Sequence, residues 1–180
     1  MKRFDTTNAR TRKLPAALAI VATLACQVAL ATEPAPAAYR MAAISDQAHG
    51  DELIRGDYER VIEELESASV HRSAKFWVRN NLCVAYTLVK DVEKAMRACE
   101  EAVVLSRKVA RSRDTLTEQN RLRDIAVALS NRGVIRALTA DMVSAKNDFE
   151  TAIQLRVRLK EPVVNLAKLE MKKSETVAAS

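Results

Sequence analysis

The feature that most constrains this chain is a pattern that returns after 34 residues and again after 50. Each copy is a turn-like triplet with a central aspartate, followed by small apolar residues spaced to share one helix face. The copies are Gly56-Asp57-Tyr58 with Val61 and Ala68, Lys90-Asp91-Val92 with Ala95 and Ala102, and Ala140-Asp141-Met142 with Ala145, Phe149 and Ala152. A period of about 34 residues is typical of stacked helical hairpins. The spacing therefore predicts an all-α chain.

Each aspartate stands where a second helix would begin, because a carboxylate there can accept from the free backbone N–H groups of the first turn. The helix before the second triplet carries Leu82, Cys83 and Tyr86, and the helix before the third carries Gly133 and Ala137. Connections of two or three residues between such helices force neighbouring helices to be antiparallel.

The stretch Asn81-Leu82-Cys83-Val84-Ala85-Tyr86, followed by Asp91, Ala95 and Ala102, resembles the tetratricopeptide repeat, as does Gly133 with Asp141, Ala145, Phe149 and Ala152. The resemblance, to an exported bacterial type, implies a short α-solenoid of about three hairpins. We expect the repeat domain over residues 42–160, with units at about 42–75, 76–109 and 126–159.

The 16 extra residues before the third unit predict an elongated hairpin between the second and third units. The stretch Thr115-Leu116-Thr117-Glu118 is a capping-box pattern that would open its second helix. Pro162 suits the first turn of a further helix. We expect residues 161–180 to form a capping helix and tail, because a repeat array must cover its apolar end.

Residues 1–31 have the layout of a secretory signal peptide, with five basic residues before an uncharged apolar run that ends in Ala29-Leu30-Ala31. Cleavage after Ala31 would leave a flexible Pro/Ala linker over residues 32–41 and a periplasmic or secreted protein. Two alternatives stay open: an uncleaved N-terminal membrane anchor, and lipid attachment at Cys26. Otherwise we expect membrane contact only transiently, through the signal peptide.

Removing this segment changes the charge of the chain. Five of the 29 Lys and Arg and one of the 23 Asp and Glu lie in residues 1–31, so the net charge falls from +6 to +2. Few aromatic residues accompany the remaining basic ones, which argues against nucleic-acid binding. The chain has two histidines, three glycines and no recognisable metal, phosphate-loop or nucleophile motif. We therefore expect no enzyme activity, no cofactor and no metal.

Loss of the signal peptide would also leave an even pair of cysteines, Cys83 and Cys99, eight residues before and eight after Asp91. In an antiparallel hairpin this symmetry places them at the same height, so a disulfide is feasible in an oxidising compartment. The alternative is two buried thiols that act as small hydrophobic side chains.

The resemblance implies that the first helix of each unit lines a concave groove where a partner lies. The groove-side candidates are Trp77, Asn80, Asn81, Val84, Thr87, Ser130, Asn131 and Val134, with Val127 beside them. Asn81 and Asn131 are equivalent in their units, and an amide can both donate to and accept from a peptide backbone. Trp77 is either an exposed anchor or a residue that packs against the first unit. Arg132 and Arg136 either hold a partner's carboxylate or pair with Asp148 or Glu150.

These observations predict a non-catalytic scaffold or adaptor that binds a peptide or helix of another protein in the groove. The alternative is a self-associating structural module of an envelope assembly, which would be a homo-oligomer.

Overall fold

The structure of the chain is a computed structural model that describes residues 39–45, 49–72, 75–108 and 114–178. These residues all belong to one compact unit, Ala37–Ser180. The predicted signal peptide, Cys26 and the first part of the predicted linker, residues 32–38, lie outside the described residues. No helix in the described ranges is long and apolar enough to cross a membrane.

The described residues form helices and no strands, which confirms the all-α prediction. The helices are α1 (Gly50–Arg55), α2 (Tyr58–Arg72), α3 (Phe76–Leu88), α4 (Val92–Lys108), α5 (Thr115–Leu138), α6 (Met142–Gln154) and α7 (Glu161–Ala178). The expected first unit began near residue 42, but residues 39–44 are not helical and α1 is only six residues long.

The repeated triplets form one kind of turn. Gly56, Lys90 and Ala140 all have positive φ, at 97°, 64° and 66°. The amide of each following aspartate donates to a carbonyl five residues back, for example Asp91 N to the Tyr86 oxygen at 2.9 Å. This is the left-handed ending that closes a helix and satisfies its last carbonyl groups.

Two of the predicted aspartate caps are present. The Asp91 carboxylate accepts from the Lys94 amide at 3.1 Å, and the Asp141 carboxylate accepts from the Ser144 amide at 3.2 Å.

The cap that opens α5 differs by one residue from the sequence-based expectation. The carboxylate of Asp114, rather than the hydroxyl of Thr115, accepts from the Thr117 amide at 2.7 Å. Thr115 is already the first helical residue, and the ionised carboxylate is the stronger acceptor. The resulting α5 has 24 residues. Residues 109–113, between α4 and α5 in the predicted elongated hairpin, lie outside the described residues.

The helices contact one another in a regular order. Each helix packs against the next one in sequence, and α1 with α3, α3 with α5 and α5 with α7 also make contact. Among the described residues, no such contacts join α2, α4 and α6 to one another. The odd-numbered helices therefore form a continuous inner layer.

A glycine sets the spacing between α5 and α6. A Cβ atom added at Gly133 on α5 would lie 2.5 Å from the Phe149 ring on α6. Phe149 is fully buried beside Ala145 and Val134 in the core cluster at this end of the protein. Gly133, which the repeat pattern singles out, therefore leaves room for Phe149, the largest buried side chain of α6.

Helix α6 ends at Gln154, and residues 155–160 lead to α7 without helical structure. Leu155, Val157 and Leu159 on this loop pack against a core cluster that includes Ala152. Pro162 is the second residue of α7, where its missing N–H breaks no intrahelical hydrogen bond. At 18 residues, α7 is longer than a minimal cap and contacts both α5 and α6.

Candidate functional site

A stretch of the chain itself, residues 39–44, lies along the inner layer. We call it the groove segment. Three asparagines on successive odd-numbered helices hydrogen-bond to its backbone. Each side-chain amide accepts from the backbone N–H of one residue and donates to the backbone carbonyl of the same residue. The pairs are Asn165 on α7 with Arg40, Asn131 on α5 with Ala42, and Asn81 on α3 with Ile44. The six bonds measure 2.7–3.2 Å. Every second residue therefore points its backbone N–H and C=O groups to the same side, which is the geometry of extended backbone.

A fourth asparagine completes this arrangement, which we call the asparagine ladder. Asn80 Nδ2 donates to the Ala42 carbonyl at 3.0 Å, and Asn80 Oδ1 accepts from Asn131 Nδ2 at 2.9 Å. The Ala42 carbonyl therefore accepts from two amides, one on α3 and one on α5. Asn80, Asn81, Asn131 and Asn165 are all fully buried. Burying four amides is tolerated because their groups have hydrogen-bond partners.

The other residues of the groove segment direct their side chains towards the protein core. Tyr39 stacks on Phe149 with ring centroids 6.5 Å apart and packs against the cluster around α5–α7. Met41 packs against both that cluster and the one around α3, and Ala43 packs against the α3 cluster alone. In contrast, Arg40 is exposed. The segment is thus held by alternate backbone groups and alternate side chains.

Tyr39 carries the one polar tip among these inward side chains. Its Oη atom is buried, and the described residues offer it no hydrogen-bond partner. Burial raises the pKa of this phenol. Lys168 Nζ lies 5.8 Å from the ring centre, within range of a cation–π interaction.

Gly50 lies against the C-terminal end of the groove segment. A Cβ atom added at Gly50 would lie 2.1 Å from the Ile44 carbonyl oxygen and 2.6 Å from the Ser45 Cα. Both are backbone atoms, so a side chain at residue 50 would have to displace the end of the segment. The absence of a side chain at Gly50 therefore lets the start of α1 lie against the backbone at the end of the groove segment.

The structure separates the predicted groove residues into two groups. Asn80, Asn81 and Asn131 contact the groove segment, while the others belong to the helical body. Val84 and Val134 are buried core residues, and Thr87 donates to the Cys83 carbonyl at 2.7 Å. Ser130 is buried, and its hydroxyl has no hydrogen-bond partner among the described residues. Binding of a partner by any of these residues stays a prediction.

The aromatic pair at the start of α3 packs inward. Trp77 is half-buried against the α3 core cluster, with Lys75 Nζ 5.8 Å from its ring centre, and Phe76 packs against the next cluster. Whether the exposed part of Trp77 binds a partner stays a prediction.

Arg132 and Arg136 pair with an acid of their own chain. Asp148 is 4% exposed, and its carboxylate accepts from Arg132 Nε and Nη2 at 2.9 and 2.7 Å and from Arg136 Nη1 at 2.8 Å. The bidentate geometry fixes α5 against α6. A partner's carboxylate would have to compete with Asp148 for these guanidinium groups.

Cys83 and Cys99 are joined in a disulfide between α3 and α4, with Cα atoms 4.8 Å apart. Both are fully buried in the same core cluster as Leu82 and Ala95. The predicted pairing agrees with the structure. The bond therefore ties α3, the helix that carries Asn80 and Asn81, to α4.

Two parts of the site were not predicted. Asn165 is 34 residues after Asn131, so the repeat spacing itself could have identified it as the next member of the ladder. The groove segment overlaps the predicted linker, residues 32–41, and no helical pattern or motif marks it. Among the described residues no group of histidine, cysteine or acidic side chains could hold a metal ion.

No model of a known protein family matches this sequence, and no curated protein matches it.

Proposed function

We propose that this chain is an exported, non-catalytic interaction module of tetratricopeptide type. In this proposal its inner layer binds an extended segment of another protein. The order of helix contacts, the repeated left-handed turns and the 34-residue spacing support a solenoid of this type. The signal-peptide pattern of residues 1–31 and the cysteine pair support export to the periplasm or secreted space.

The observation that carries the proposal is the asparagine ladder. Seven hydrogen bonds join its side chains to the backbone of residues 40, 42 and 44, and none of them depends on which side chain those residues carry. A groove that pairs with backbone groups at every second residue can accept any segment of suitable length and side-chain shape. Here the groove segment acts as an intramolecular ligand, which a partner would replace.

A cleft elsewhere among the described residues gives no support to catalysis. A cavity of about 640 Å³ lies between the first half of α5 and the loop after α6, lined by Gln119, Asn120, Leu122, Arg123, Leu155, Arg156, Val157 and Arg158. This lining has neither a carboxylate or imidazole for proton transfer nor a thiol or hydroxyl nucleophile. It shares no residue with the asparagine ladder.

The test compares three baits made from the full exported chain. The first is the wild type. The second, which we call the released chain, carries Tyr39→Ser and Met41→Ser, so that its groove segment loses two apolar anchors. The third adds Asn131→Ala to the released chain. A tethered ligand has an effective concentration on the order of millimolar, so weakening it should expose the groove.

We expect the released chain to retain a defined set of proteins from a bacterial envelope extract. The wild type should retain less of the same set, and the third bait should lose it. Mass spectrometry identifies and quantifies the retained proteins. Recovery of the same proteins in equal amounts on all three baits would rule out the groove as the binding site.

A further inference from the structure

We infer that the groove selects its partner by side-chain pattern as well as by backbone: an aromatic residue, then any residue, then methionine or a similarly long unbranched apolar residue. This inference rests on the proposed function and names the class of segment that the groove would take. It follows from the alternation along residues 39–44.

The first position is defined by the pocket around Tyr39. The ring lies against Phe149 at a small interplanar angle of 25°, and Lys168 faces it from α7. A flat aromatic side chain uses both contacts. The buried Oη of Tyr39 has no hydrogen-bond partner among the described residues, so the pocket does not select for a hydroxyl group. Phenylalanine should therefore fit at least as well as tyrosine at this position.

The third position is defined by the gap between two core clusters. Met41 is in contact with the cluster that contains Leu82 and Val84 and also with the one that contains Val134 and Phe149. A long, unbranched and flexible side chain can fill a gap of this kind. A charged group placed there would lose its hydration without gaining a partner.

The intervening positions and the direction are defined by the ladder. The residues that occupy positions 40, 42 and 44 give their amide and carbonyl groups to asparagine, and Arg40 projects into solvent. Asn165 binds the N-terminal end of the segment and Asn81 the C-terminal end. A partner segment should therefore run from α7 towards α3, in the same direction as residues 39–44.

The probe is a labelled synthetic peptide with the sequence of residues 37–45, titrated into the released chain and followed by fluorescence anisotropy. The matched control is an isomer in which the residues equivalent to Arg40 and Met41 are exchanged. It has the same composition and charge, but it places arginine in the methionine position whenever the tyrosine is in its pocket. A third peptide has phenylalanine in place of tyrosine.

We expect the native-sequence peptide to bind the released chain, and the isomer to bind about tenfold more weakly or worse, because the isomer places a charged side chain where Met41 packs against two apolar clusters. The phenylalanine peptide should bind at least as tightly as the native sequence. Equal binding of the native peptide and the isomer would overturn the pattern while leaving the proposed function intact. Binding of none of the peptides to a folded released chain would overturn both.

A second measurement covers the case in which the released chain does not fold. It compares Met41→Arg with Arg40→Met, each made alone in the wild-type chain. The same pocket selectivity predicts that Met41→Arg lowers the thermal unfolding midpoint by several degrees and that Arg40→Met leaves it within about one degree. Equal midpoints for the two variants would contradict the inference.

Discussion

Replacing Asn131 by alanine removes the centre of the asparagine ladder. The change deletes three hydrogen bonds, to the Ala42 amide, the Ala42 carbonyl and Asn80 Oδ1, at 2.9, 2.8 and 2.9 Å. The Ala42 carbonyl keeps its bond from Asn80, but the Ala42 amide and Asn80 Oδ1 lose the partners they have in this structure. A buried group left unpaired costs about 1–3 kcal/mol, so we expect a loss of about 3 kcal/mol in the free energy of unfolding.

This loss should be measured by urea unfolding followed by circular dichroism, together with the thermal midpoint. For a chain of this size about 3 kcal/mol corresponds to a midpoint lowered by about 6–12 °C. The control is Asn120→Ala, an exposed asparagine on the same helix, for which we expect a change within about 0.5 kcal/mol. If the two variants have the same unfolding free energy, the ladder does not bind the groove segment in solution.

Three further predictions concern the helical body. Gly133→Ala should lower the free energy of unfolding by about 1–2 kcal/mol in the same urea assay, because the added methyl group meets the aromatic ring of α6; a neutral result would mean that α5 and α6 lie further apart. A thiol count on the unreduced protein should find Cys83 and Cys99 bonded, and reduction should cost about 3 kcal/mol; two free thiols would contradict this pairing. Asp148→Asn should lower the free energy of unfolding by about 2–3 kcal/mol, because it leaves two partly buried guanidinium groups without their counter-charge. The control Glu150→Gln, in an exposed pair, should change it by less than about 0.5 kcal/mol.

Much of the helical framework could be predicted from the sequence because its signals are local. An aspartate that caps a helix, an αL residue before it and small residues on one helix face are each specified within a few positions. Asp91 and Asp141 therefore cap their helices as predicted, and the cap of α5 differs only by the step from Thr115 to Asp114. Local signals of this kind do not depend on which distant elements pack against the helix.

The binding of residues 39–44 to the asparagine ladder could not be predicted in the same way. Asn81 and Asn131 were identified as backbone-binding residues from their equivalent positions, and the structure places both against an extended backbone. The identity of that backbone depends on contacts between residues separated by 37, 89 and 125 positions in sequence. A short non-helical stretch after a Pro/Ala-rich region has no periodicity to mark it. Its place is decided by tertiary contacts alone.

Alternate backbone groups of the groove segment pair with the asparagine ladder, and amide hydrogen exchange followed by NMR measures that pairing directly. The amides of Arg40, Ala42 and Ile44 each donate to an asparagine, while no described acceptor lies at the amides of Met41 and Ala43. We therefore expect the first three amides to exchange at least about tenfold more slowly than the other two. Exchange of all five amides at the rates of an unstructured peptide would show that residues 39–44 do not occupy the groove.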